Sequence, residues 1–219
     1  MPRRASIRVA PSAVALAAAI LRAGCGSTGS DGGTQVDAPT QDVPTETIRS
    51  SFETQAARAY DTLGLDRSTD YSNGARPPCF AFDDEAVTAI AAAVGIEDPV
   101  DVGQAYLVGP PERELLTCTA LLDGEAQFDV SVGTTDQDAG DLAAQLAGIE
   151  DPPEVLEGSA EGLDPEAVIA VRGGDRIQVG YVVDGVQIGL GASADLMSAD
   201  EAFAALPVVV AEVSRTLGA

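Results

Sequence analysis

The chain has 219 residues, with 35 acidic and 12 basic side chains and a formal net charge of −23. Every basic residue is Arg, and the sequence contains no Lys, His or Trp. This inventory excludes His-based nucleophile pairs, His-ligated metals, Schiff-base lysines and Walker-type phosphate loops. The acidity argues against nucleic acid as a partner, because a phosphate backbone needs a basic stripe. Hydrophobic residues make up 45% of the chain and aromatics 4%, so the core must be built from Ala, Val, Leu and Ile.

Residues 1–24 read as a signal segment. Arg3, Arg4 and Arg8 give a positive start, and residues 12–21 (SAVALAAAIL) form an apolar stretch. A bilayer span needs roughly 20 apolar residues, so this stretch suits the apolar region of a signal peptide instead. Arg22-Ala23-Gly24-Cys25 follows. It resembles the bacterial lipoprotein signal, in which a small pair precedes a Cys that receives a diacylglyceryl group. Arg22 departs from that pattern, which carries Leu or a similar residue there. Arg3-Arg4 leaves general secretory and twin-arginine export both open. The expectation is lipid attachment at Cys25 on the extracytoplasmic face of a bacterial membrane, with a two- or three-chain anchor for stable binding. Residues 25–46 are rich in Gly, Ser, Thr, Asp and Pro and cannot bury enough apolar surface to order themselves. They read as a tether with a reach of about 25 Å.

From Thr47 the pattern turns helical, with Ile48, Phe52, Ala56, Ala59, Tyr60 and Leu63 on one face and Gly64 as the stop. Residues 66–78 are turn-rich. Asp83 or Asp84 caps a second helix whose inner stripe is Val87, Ile90, Ala91 and Val94. Strands are expected at 105–108, 115–122 and 125–132, with Asp123-Gly124 as a two-residue hairpin turn. Uninterrupted pairing through that turn places Cys118 opposite to Phe128. The favoured reading is that this face is partly covered too, by the segment carrying Cys79; the other is a longer turn that shifts the register. A short helix over 138–147 points Leu142 and Leu146 inward, and residues 149–165 form a long acidic loop. A meander follows over 167–171, 176–183 and 186–191. Its register puts Ile177, Val179, Tyr181 and Val183 beside Val186, Ile188 and Leu190. Ser198 with Glu201 makes a capping box for a last helix, which Pro207 should kink or restart. The sum is an α+β fold over 47–219: a two-layer sandwich with an antiparallel sheet of five to six strands, packed by N- and C-terminal amphipathic helices.

Few residues offer chemistry. If lipid takes Cys25, Cys79 and Cys118 make one disulfide; the rival is two free thiols or a metal pair, and two Cys without His make a poor metal site. Asp136, Asp138 and Asp141 are a weak calcium candidate, since the run lacks the loop spacing and distal Glu of a calcium loop. The blander reading makes Asp138 a helix cap. Glu150, Asp151, Glu154, Glu157, Glu161 and Asp164 read as a solvated surface, with a cationic partner as the alternative. Tyr71 and Tyr106 flank loops where they could line a pocket.

The Ala-Gly-Cys at 23–25, the polar tether, Cys79-Phe-Ala-Phe before a helix, Leu116-Thr117-Cys118-Thr119 in a strand, the late meander and the C-terminal amphipathic helix together form a pattern. It resembles that of actinobacterial cell-envelope lipoproteins of unknown function, whose domains are often PsbP-like α/β sandwiches. The expected function is a non-enzymatic binding or assembly module, monomeric, without cofactor, held to the membrane through Cys25 and contacting an envelope protein. A carrier or sensor of a small apolar or lipidic ligand is the alternative, and a carboxylate-based hydrolase the second. Removing residues 1–24 would leave eight Arg against 35 acids, so the exported form would be more acidic still.

Overall fold

The computed structural model describes residues 45–98, 100–149 and 151–218. Cys25, the apolar stretch and the tether up to residue 44 lie outside the described residues. The elements in chain order are α1 (Thr45–Leu63), α2 (Asp84–Ala93), β1 (Asp101–Val108), β2 (Leu115–Leu122), β3 (Glu125–Thr134), α3 (Ala139–Ala147), β4 (Glu154–Val155), β5 (Val168–Gly173), β6 (Arg176–Val183), β7 (Val186–Ser193) and α4 (Ala199–Leu217). One 3-10 turn, Pro111–Arg113, joins β1 to β2. The fold is α+β, with one open sheet in the order β1-β2-β3-β7-β6-β5-β4 and antiparallel throughout.

Alternation along the strands decides which face closes. Leu116, Cys118 and Ala120 of β2, Phe128, Val130 and Val132 of β3, Ile177 and Val179 of β6, and Ile188 and Leu190 of β7 point to one side and are buried there. Three helices cover them. In α1, Ile48, Phe52, Ala56 and Tyr60 recur at helical spacing on the inner face. In α2, the Asp83 side chain accepts from the Ala86 N–H at 2.8 Å and starts the helix. In α4, Ser198 and Glu201 form the expected capping box: the Ser198 N–H donates to Glu201 Oε2 at 2.7 Å. Arg215 in its last turn donates to both Asp83 oxygens, at 2.6 and 3.0 Å, and so joins the end of α4 to the start of α2.

Several expectations are corrected. The sheet has seven strands rather than five or six, because the acidic loop contributes β4, which pairs with Arg172 and Val171 of β5. Helix α1 begins at Thr45, two residues inside the expected tether. Its Leu63 is exposed, beyond the part of the helix that meets the core. Helix α4 runs through Pro207 without interruption, neither restarted nor split. The short helix α3 lies on the opposite sheet face, where Leu142 and Leu146 enclose a second small core with Ile169, Val171 and Val182. The sandwich therefore has two layers over most of the sheet and a third over β5 and β6.

The hairpin of β2 and β3 has its two-residue turn, with Asp123 at φ 52° and Gly124 at φ 83°. Leu122 pairs with Glu125 and Leu121 with Ala126, but Ala120 then pairs with Phe128. Gln127 is the extra residue of a β-bulge, and it turns Cys118 onto the same face as Phe128 and Val130. The favoured reading, a covered outer face beneath Cys79, is thus wrong, and so is a longer turn: the turn keeps two residues and the bulge shifts the register. Cys79 reaches Cys118 on the inner face, where the two form a disulfide with Cα atoms 5.8 Å apart.

Both rims of the sheet are occupied by short segments. Ala75 exchanges backbone hydrogen bonds with Leu107 of β1 at 2.8 and 2.9 Å. At the other rim, β4 and the Leu156 N–H, which donates to Ala170 O at 3.0 Å, cover β5.

Candidate functional site

The most unusual chemistry lies where α1 ends against the start of β2. Gly64 at φ +66° stops α1, and the chain folds into a tight turn in which the Asp66 side chain accepts from the Ser68 N–H and the Asp70 carboxylate accepts from the Asp66 N–H. This turn presents Arg67 to Glu114. Glu114 enters from the other side, directly after the 3-10 turn. Its N–H donates to Thr134 Oγ1 at 3.1 Å, and its carbonyl accepts from the Thr134 N–H at 2.9 Å. The close approach requires Gly133, because a Cβ there would sit 2.2 Å from the Glu114 carbonyl oxygen.

The Glu114 side chain is fully buried, whereas that of Arg67 is 22% exposed. Arg67 Nε donates to the two carboxylate oxygens at 3.2 and 3.1 Å, and Nη2 donates to Oε2. Burial pushes the Glu114 carboxyl above its ordinary value, and the hydrogen bonds from Arg67 pull against that shift. The charges of the pair act on Tyr60 of α1. It is 1% exposed, its hydroxyl has no hydrogen-bond partner, and burial followed by the Glu114 charge raises its pKa. The group is therefore a buried carboxylate, a guanidinium reaching in from a loop, and an orphaned phenol.

The sites expected from sequence are dispersed. Asp136 faces Arg113, 2.7 Å from its Nε, and that guanidinium holds the carboxyl below its usual value. Asp138 accepts from the Asp141 N–H at 2.7 Å and caps α3. The calcium candidate is thereby resolved into an ion pair and a helix start, and among the described residues no three His, Cys, Asp or Glu gather closely enough to hold a metal. In the acidic loop, Glu154 pairs with Arg172 at 3.3 Å. Tyr106 lies flat against the backbone: a Cβ on Gly74 would be 2.2 Å from its ring. It packs the loop against β1, and Tyr71 is half-buried.

Two open hollows, of about 610 and 340 Å³, lie around Arg49 and Asp184. Their walls carry Glu46, Glu53, Asp136 and Asp138, a charged lining unlike that of an apolar ligand site. On the outer sheet face, Thr119 Oγ1 donates to Asp129 at 2.7 Å, and Arg176 crosses β7 to reach the same carboxylate. Gly191 lies under that crossing; a Cβ there would come 3.4 Å from Arg176 Nη2. Among the described residues no helix is long and apolar enough to cross a membrane.

Comparison of the chain with protein-family models, with curated proteins and with solved structures finds no match.

Sequence reasoning missed both Glu114 and Arg67. A signal for Glu114 was present: it stands just before β2 in the same alternation as Leu116, Cys118 and Ala120, all of them buried. Arg67 had none, being one polar residue in a polar turn.

Proposed function

We propose that the chain is a lipid-anchored, extracytoplasmic binding or assembly module of a bacterial cell envelope, akin to the actinobacterial lipoproteins its sequence resembles. The observation that carries this reading is the fate of the cysteines. Cys79 and Cys118 use each other up, a bond suited to an oxidising compartment, which leaves Cys25 behind an apolar stretch as the remaining thiol. A non-enzymatic role fits the site best. Glu114 has no exposed surface from which to meet a substrate, Asp138 caps α3, Asp136 pairs with Arg113, and Glu46 and Glu53 stand around an open hollow. Among the described residues, α1, α2 and α4 close one sheet face, while α3 covers only β5 and β6 on the other. That arrangement favours recognition at a surface over enclosure of a small ligand. The acidity favours a cationic partner and opposes adsorption to anionic lipid, so lipid at Cys25 would hold the protein at the membrane.

Mass spectrometry of the membrane-extracted protein tests the anchor: a diacylglyceryl-modified Cys25 at the mature N-terminus is expected, and an unmodified Cys25 overturns it. Cross-linking in the intact envelope tests the module: a specific protein partner is expected, and recovery of lipid alone would transfer support to the carrier reading.

A further inference from the structure

We propose that Asn73-Gly74 is a self-modification site: the Gly74 nitrogen attacks the Asn73 side chain, ammonia leaves, and the isoaspartate that results loosens the segment lying on the β1 rim.

Asn73 is the only asparagine in the chain, and a glycine follows it. Asparagine is a thermolabile residue, and a following glycine offers the least hindered backbone nitrogen for attack. The fold itself demands that glycine. Residue 74 has φ +70°, and a Cβ there would lie 2.2 Å from the Tyr106 ring. Asn73 is exposed and Gly74 half-buried. The ties that hold this segment stop short of the two reacting groups. The Asn73 N–H donates to Asp70 O at 3.0 Å, and Ala75 exchanges hydrogen bonds with Leu107. Among the described residues, neither the Asn73 side chain nor the Gly74 N–H has a hydrogen-bond partner. The side chain can therefore turn onto the next peptide while both ties stay closed.

Water is the only co-reactant. The Gly74 nitrogen bonds to Asn73 Cγ and gives up its proton, the Cγ–Nδ2 bond breaks, and ammonia departs with that proton. Water then opens the five-membered imide. Cleavage of the new bond leaves an aspartate. Cleavage of the original peptide bond leaves an isoaspartate, whose main chain runs through Cβ and whose α-carboxylate is free. That product adds one atom to the main chain between the turn closed by Asp70 and the Ala75 bridge. The Asn73 carbonyl, which accepts from the Tyr106 hydroxyl at 3.5 Å, leaves the main chain. The new carboxylate joins Asp66 and Asp70 in the same segment. The corner beneath Tyr106 no longer fits, and the bonds between Ala75 and Leu107 open more often.

Two measurements test this. In the first, the intact protein is incubated warm in mildly alkaline buffer beside a synthetic peptide of residues 68–78. Both are mapped by mass spectrometry with isoaspartyl methyltransferase labelling. The Asn73 segment of the protein should gain one mass unit and take up label. The mass gain separates this reaction from isomerisation at Asp123-Gly124 and Asp184-Gly185, which leaves the mass unchanged. A protein still unmodified when the free peptide is fully converted overturns the proposal. In the second, hydrogen exchange at Ala75 and Leu107 is compared before and after incubation. Exchange should quicken in the native sequence and stay constant in Asn73→Gln, whose ring closure is slow. Equal exchange in converted and fresh protein, or the same change in Asn73→Gln, overturns the proposal.

Discussion

Individual side chains in this protein pull stability in opposite directions with pH. The Asp83 carboxyl is lowered to about 2 by the Arg215 guanidinium and the Ala86 N–H. Its contribution is complete above its ordinary value of 3.8 and is lost as pH falls through about 2. Glu114 works the other way. Burial raises its folded value above 4.5, so ionisation opposes folding and acidification towards 4.5 adds stability. Melting temperature should therefore rise on mild acidification and fall again in strong acid. Glu114→Gln should remove the rise, and Asp83→Asn should flatten the fall; a Glu114→Gln profile that still rises would refute the assignment. Asp83→Ala should cost about 1 kcal/mol through the lost helix cap alone. Tyr60→Phe should be neutral or stabilising by about 1 kcal/mol, since it deletes a buried hydroxyl that has no partner. A clear loss in urea unfolding would reveal a partner that the geometry does not show.

At the scale of elements, what was legible in the sequence is what is encoded locally. The turn at Asp123-Gly124, the Ser198/Glu201 box and the inner stripes of α1 and α2 involve neighbours a few residues apart. The meander register followed from one turn and strict alternation. The bulge did not, because Gln127 is an ordinary residue whose role appears only once Cys118 and Phe128 must share a face. Strand β4 was hidden because two exposed residues carry no alternation. The Arg67–Glu114 pair joins residues 47 apart, and among 35 acids no single carboxylate stands out by composition. The bulge makes a specific prediction. Deleting Gln127 leaves Leu121 beside Ala126 and Ala120 beside Phe128 in a regular hairpin. The variant should keep its disulfide and fold, and loss of the Cys79–Cys118 bond by thiol counting would show that the bulge itself is required.

The molecule as a whole is tied together by its one described covalent crosslink. With few aromatics, Phe52 and Phe80 being a tilted pair with centroids 5.7 Å apart, the core relies on small aliphatic side chains. Closing the chain between Cys79 and Cys118 contributes up to about 4 kcal/mol on the chain-entropy model. Replacing both with Ser should lower urea stability by a large part of that figure, and an unchanged midpoint would show that the crosslink constrains nothing. The rims of the sheet have a different consequence. Ala75 covers β1 only at Leu107, but the rest of that edge is interrupted by an irregularity between Val102 and Ala105, and Glu154–Val155 covers β5 at the other rim, so neither rim offers a long regular run of open backbone for a neighbouring copy to zip onto. A protein held at high density on a surface, where copies collide continually in two dimensions, would then stay as separate molecules rather than polymerise edge to edge.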